Sequence, residues 1–317
     1  MTSTRRPQGP TFLGAPFVQE PATVDAEFAF IGIPLCVPYG PAEAQMPAAC
    51  TGAPDWVRAA AAVSIGEHDH YDFDLGAPLA EGGGPSLVDC GDVAGDPRDA
   101  ATTGAAASAL VRELARRGAV PLVVGGDHCV PPVVVRELDD RSPLDVLHID
   151  AHLDFRDEVG GVRDGYSSPI RRLRELPFVR DIVQVGLRGT GSARRAEVEA
   201  AVAAGNVLIT ADQVHEETVA VVLDKVRAGA RYYITIDVDG LDPGCAPAAG
   251  WPLPGGLTYP QVARLVRHIA RDCEVAGIDI CEMVPDKDVN GITGLAAARL
   301  LLNIIGLGGQ RRRAQPV

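Results

Sequence analysis

The 317-residue chain carries 42 acidic against 29 basic residues, a formal charge of −13. A nucleic-acid binder needs a basic face to neutralise phosphates, and the only basic cluster, Arg311-Arg312-Arg313, reads as a short solvated end. An apolar fraction of 46% with 22% charged residues excludes a disordered chain. The polar, Pro-rich start, residues 1–14, lacks the apolar core of a signal peptide.

Residues 1–25 read as loosely ordered. From there short apolar runs alternate with amphipathic ones. Expected strands in chain order are Glu27–Ile33, Ser86–Asp89, Val120–Val124, Asp145–Ile149, Ile182–Val185, Val207–Ile209, Tyr232–Ile236 and Val275–Ile280. Near-continuous Val, Leu and Ile is what strands buried on both faces require. Expected helices are Pro54–Ala62, Ala100–Arg117, Val130–Leu138, Ala193–Ala204, Gln213–Ala228, Tyr259–Asp272 and Gly294–Ile305. Thr258 and Asp212 stand at expected N-caps, and Gly118, Gly205 and Gly229 at expected C-termini. The pattern predicts one α/β domain over 1–317, a three-layer sandwich with a central, mostly parallel sheet flanked by helices, its tail from 310 onward also loosely ordered. The most apolar stretch, Leu295–Leu307, is broken by Arg299 and Asn303 and reads as a buried helix rather than a membrane span. Seven scattered cysteines without a CxxC pair read as reduced thiols in a cytoplasmic protein.

The polar residues concentrate just after the strands. Asp127-His128, Asp150-x-His152-x-Asp154, Asp237-x-Asp239 and Glu282 all fall at predicted carboxyl ends, which form the ligand crevice of an open α/β sheet. In extended chain, residues two apart point the same way, so Asp150, His152 and Asp154 converge while Ile149 and Leu153 pack inward. Four carboxylates with the imidazoles of His128 and His152 cannot all stay ionised together unless cations neutralise them. Two divalent ions do so. Oxygen-rich ligation with some imidazole fits Mn2+, and nickel, cobalt or iron fit the same ligand types.

Gly125-Gly126-Asp127-His128, Asp150-Ala151-His152-Leu153-Asp154 and Ile236-Asp237-Val238-Asp239-Gly240-Leu241-Asp242-Pro243 resemble signature blocks of the ureohydrolase family, which includes arginase, agmatinase, guanidinobutyrase and formimidoylglutamase. Asp89-x-Gly91-Asp92, Gln184-Val185-Gly186-x-Arg188, Ala246-Pro247, Pro254-Gly255-Gly256 and Glu282-x-x-Pro285 follow in the same order, so the resemblance runs from Phe30 to Leu307. It implies two Mn2+ ions, one on His128, Asp150, Asp154 and Asp237 and the other on Asp150, His152, Asp237 and Asp239. It further implies that Asp154 moves the proton, that Glu282 pairs with the guanidinium, and that the protein forms a trimer or hexamer. Asp242 is expected to organise its loop through backbone hydrogen bonds.

Departures cluster at the rim. Tyr166 stands where agmatinase-like relatives carry His, and with a pKa of about 10 it is a poor proton shuttle. Ala248 and Trp251 replace smaller residues, Cys129 replaces Ser, and the segment from Pro34 to Pro54 lacks an Arg-x-Gly-Ala-Arg run. Arg156 and Arg163 read either as donors for a substrate carboxylate, which favours a guanidino acid over agmatine, or as solvated loop charges paired with Asp157, Glu158 or Asp164. The expected function is a metal-dependent hydrolase releasing urea from a guanidino or related amidino compound, with Tyr166 assisting and Trp251, Arg156 and Arg163 contacting substrate. Two alternatives are a formimidoylglutamase-like hydrolase and a catalytically impaired, metal-binding subunit of a mixed oligomer.

Overall fold

A computed structural model describes residues 4–40, 49–139, 143–190 and 192–314. The middle of the divergent Pro34–Pro54 segment and the outermost residues of both ends lie outside the described residues. All eight expected strands form. In chain order the strands are β1 (Thr4–Arg5), β2 (Phe28–Ile33), β3 (Tyr71–Asp72), β4 (Ala77–Pro78), β5 (Leu87–Val93), β6 (Val120–Gly125), β7 (Leu144–Ile149), β8 (Val179–Leu187), β9 (Val207–Thr210), β10 (Arg231–Asp237) and β11 (Glu274–Cys281). Nine of them make one sheet in the order β1-β5-β2-β6-β11-β10-β7-β8-β9, while β3 and β4 pair separately. Every pairing in the large sheet is parallel except that of the edge strand β1.

The helices are α1 (Ala53–Ser64), α2 (Thr102–Arg116), α3 (Val130–Val135), α4 (Pro169–Arg174), α5 (Arg195–Ala203), α6 (Ala211–Glu217), α7 (Ala220–Leu223), α8 (Tyr259–Asp272) and α9 (Ile292–Ala314). Strand alternation sorts the core into two layers. Phe28, Phe30, Leu122, Val124, Ile234 and Ile236 join Val57 of α1, Val266 of α8 and Leu301 of α9 on one face. Ile31, Ile33, Val123 and Val146 join Leu110 of α2, Val134 of α3 and Leu173 of α4 on the other. The arrangement is the expected three-layer sandwich.

Local chemistry explains where the elements differ from expectation. The helix expected over Gln213–Ala228 is two short ones, because Thr218 takes φ 64 and breaks the turn. Its N-cap is Thr210, whose hydroxyl accepts from Gln213 N at 3.1 Å, and not Asp212. Tyr259–Asp272 matches to the residue, with Gln261 reaching back to Thr258 N at 2.8 Å. Residues 4–25 are not loose. Phe12 is fully buried and stacks on Phe30 at 4.5 Å, and Thr4–Arg5 closes the sheet edge. Helix α9 runs on to Ala314, where Arg312 lies over the Phe28 ring instead of dangling in solvent. By length and composition α9 could cross a membrane, but 78% of its apolar window is buried in the fold.

The Asp89-x-Gly91-Asp92 block is a buried ionic knot. Arg58 of α1, with no exposed surface, donates from Nε and Nη2 to Asp89 (2.8 and 3.0 Å) and from Nη1 to Asp92 (2.7 Å), its guanidinium over Phe30. It ties α1 to β5. Burial without those partners would be prohibitive for either charge.

Candidate metal centre

Four strands adjacent in the sheet, β6, β11, β10 and β7, end side by side. His128 follows β6, Glu282 follows β11, Asp237 closes β10 with Asp239 two residues on, and Asp150, His152 and Asp154 follow β7. Segments more than a hundred residues apart thus meet at one crevice. The backbone is squeezed there: a Cβ on Gly240 would lie 2.7 Å from Asp150 N, and one on Gly186 2.9 Å from Asp150 O. Both positions need glycine so that neighbouring strand ends can approach the ligand segment. Asp154 (φ 50) and Glu282 (φ 63) hold left-handed conformations that cost free energy in non-glycine residues, a kind of strain that concentrates at functional sites.

The side chains converge in two groups. His128 Nδ1 lies 3.0 Å from Asp154 Oδ2, 3.2 Å from Asp150 Oδ2 and 3.7 Å from Asp237 Oδ2. His152 Nδ1 lies 3.1 Å from Asp239 Oδ2 and 3.4 Å from Asp150 Oδ1. Asp150 therefore turns one oxygen to each group, as a bridging ligand would. All six predicted ligands are brought together.

The donor chemistry fits divalent cations. Burial drives the Asp237 and Glu282 carboxyls well above their usual range, raises Asp239, and takes Asp154 up to about 6. The cluster is short of positive charge, and bound cations would reverse that imbalance.

Beneath the ligands lies a polar row that sequence reading missed. Thr235 on β10 pairs in register with Asp279 on β11 and with His148 on β7, and His148 pairs with Gln184 on β8. Tyr233 and Thr235 both donate to Asp279 (2.6 and 2.9 Å), leaving Thr235 Oγ1 to accept from His128 Nε2 at 2.9 Å. That bond leaves Nδ1 as the His128 nitrogen turned toward the carboxylates. Asp279 and His148 each stand two or three residues from a predicted site residue, and that spacing was the available signal.

A cavity of about 240 Å³ opens over the centre, lined by His152, Asp154, Tyr166, Ser167, Thr190, Ser192, Asp237, Asp239, Trp251 and Glu282. Glu282 is fixed from below, one carboxylate oxygen accepting from His128 N at 3.0 Å. Tyr166 packs against Tyr39, whose hydroxyl accepts from Ser167 N at 2.7 Å. Trp251 is 58% exposed at the mouth. Of the two loop arginines, Arg163 pairs with Asp157 at 3.2 Å and Glu175 at 3.7 Å, and Arg156 Nε donates to the carbonyl of Ser192, itself a lining residue. Neither lines the cavity.

Two supports complete the rim. Asp242 accepts from Gly244, Gly255 and Gly256 N, organising its loop as expected. Arg188 donates to the Asp239 and Leu253 carbonyls, tying that loop to the end of β10. Glu67, Asp69 and His70 form a separate, exposed cluster.

Residues 26–306 match the arginase family. The chain is 37% identical over 207 residues to the N(1)-aminopropylagmatine ureohydrolase of Thermus thermophilus, covering 63% of this chain and 68% of that one. The structure of proclavaminate amidino hydrolase from Streptomyces clavuligerus superposes with a TM-score of 0.81 at 27% identity, covering 98% and 100% of the two chains. Formimidoylglutamase from Bacillus subtilis superposes with a TM-score of 0.75 at 25% identity, covering 98% and 95%. An α/β sandwich with a carboxylate and histidine cluster at adjoining strand ends is the architecture of a metal-dependent hydrolase. The chain belongs to the arginase family, and its relatives include agmatinase-like ureohydrolases.

Proposed function

We propose that the chain is a dinuclear manganese amidinohydrolase that cleaves a C–N bond of a guanidino compound, releasing urea and an amine. The observation that carries this reading is the six-ligand cluster of His128, Asp150, His152, Asp154, Asp237 and Asp239 facing Glu282 across one cavity. Relatives named as ureohydrolases and amidinohydrolases support the same bond type.

Two divalent ions held by these residues would supply activated water and charge stabilisation. Glu282, anchored by His128 N, presents its carboxylate to a planar guanidinium through charge-assisted hydrogen bonds. A cation facing it offsets the burial that favours its protonated form. Asp154 would take a proton from the attacking water and return it to the leaving amine. Tyr166 closes the cavity wall and offers a hydroxyl to substrate.

The preference for a guanidino acid rested on Arg156 and Arg163, and neither lines the cavity. Among the described residues the lining is carboxylate, hydroxyl and aromatic, with His152 its one basic side chain. That composition favours a substrate whose far end is neutral or cationic, held by hydroxyls and by the Tyr166 and Trp251 faces. Seven free thiols support a reducing, cytoplasmic setting, and a homo-oligomer completes the proposal.

Metal-reconstituted protein should release urea from agmatine or N1-aminopropylagmatine faster than from 4-guanidinobutyrate or 3-guanidinopropionate. The reverse order would restore the acid-binding reading. No urea from any of them, with both ions bound, would favour the impaired-subunit reading. A Tyr166→His variant that gains agmatine turnover would assign the rim change to specificity.

A further inference from the structure

His148 lies close enough to His128, Asp150 and Asp154 for the four to be taken as one metal cage. It is fully buried, and its ring lies near-parallel to that of His128 with centroids 5.3 Å apart. Its hydrogen bonds decide its role. Gln184 Nε2 lies 2.8 Å from the Leu153 carbonyl oxygen, which can only accept, so the amide nitrogen faces Leu153. The same nitrogen is 3.0 Å from His148 Nδ1, which must then accept its second hydrogen. Asn206 Nδ2 donates to Gln184 Oε1 at 2.9 Å and holds the amide in this orientation. With Nδ1 accepting, the ring proton sits on Nε2, 2.8 Å from Asp150 Oδ2. Neither nitrogen of His148 has a lone pair to give a metal.

We propose that His148 is a positioning residue that donates from Nε2 to Asp150, and that Gln184, locked by Leu153 and Asn206, selects the tautomer that makes this possible. The inference rests on reading Asp150 as the bridging metal ligand. Asp150 needs both oxygens aimed, Oδ1 at the His152 group and Oδ2 at the His128 group. His152 N fixes the first at 2.6 Å and His148 fixes the second. Partners of this kind, one bond removed from the metal, commonly set metal affinity by about 10–100-fold.

The test titrates Mn2+ alone into metal-stripped full-length protein by calorimetry, with thermal unfolding recorded alongside. His148→Phe keeps the ring volume and removes the donor, whereas His148→Gln places an amide N–H near the former Nε2. The expected result is two ions in the wild type, at least tenfold weaker binding of one or both in His148→Phe, and near-wild-type binding in His148→Gln. A packing role predicts the opposite order, since Phe fits an apolar floor better than Gln. Equal binding in all three proteins, or Gln as weak as Phe, would overturn the proposal. If His148→Phe does not fold, Gln184→Leu decides the question, with tenfold weaker binding expected and unchanged binding contradicting it. A wild type that binds no Mn2+ would instead refute the metal-centre reading on which this rests.

Discussion

His128 Nε2 donates to Thr235 Oγ1 across 2.9 Å, and the Thr235 proton is committed to Asp279. This bond holds the ring with Nδ1 toward the carboxylate cluster. Replacing Thr235 with Val keeps the shape and removes the acceptor, leaving a buried N–H without a partner and Asp279 short of one donor. Mn2+ affinity should fall by about 10–100-fold, measured by titration of the stripped protein. An unchanged affinity would mean that packing alone orients His128.

Under the proposed function, Glu282 serves substrate binding and not metal binding. Its carboxylate lies at the cavity but is not among the six ligands. Glu282→Gln should lower kcat/KM by about 10–100-fold, the worth of a hydrogen bond to a charged group at roughly 1.5–3 kcal/mol. Metal content should be unchanged. Loss of an ion in this variant would place Glu282 among the ligands instead.

Stability depends on a site far from the chemistry. Removing Arg58 leaves Asp89 buried without its cationic partner and Asp92 with Arg5 alone at 3.3 Å, a change that typically costs about 3–5 kcal/mol. Urea unfolding of Arg58→Met should show a loss of that size. A loss below about 1 kcal/mol would mean that the two carboxyls simply take up protons.

Without metal, the carboxyl cluster should make the protein less stable as pH rises. Burial, and then Asp150 beside it, lifts Asp154 to about 6, and Asp237 and Glu282 lie well above their usual values. A carboxyl whose pKa is higher folded than unfolded binds more protons in the folded state between the two values. Stability therefore declines from about pH 4 to about pH 6 and beyond. Thermal unfolding of stripped protein should show this decline, and added Mn2+ should reverse it at pH 7. A midpoint rising over that window without metal would contradict the charge shortage described here.

The convergence of the six candidate ligands was legible because each sits at a strand end, five of them spaced two apart as in Asp150-x-His152-x-Asp154 and Asp237-x-Asp239. The strands themselves were legible as unbroken apolar runs. What the sequence hid depends on register. Asp279, Thr235, His148 and Gln184 lie on four strands separated by up to 131 residues, and only cross-strand pairing puts them in one row. The pairing of Arg163 with Asp157 was legible as a local charge pair, whereas Ser192 and Glu175 reach the two arginines from other segments. The packed N-terminus was disguised by its proline content, although Phe12 completes the core against Phe30.

The central claim is a two-ion centre with Asp150 bridging. Anomalous diffraction from Mn2+-soaked crystals tests it most directly. The account predicts two peaks, one among His128, Asp150, Asp154 and Asp237, the other among Asp150, His152, Asp237 and Asp239, with His148 bound to neither. A single peak, or an ion coordinated by His148, would contradict it.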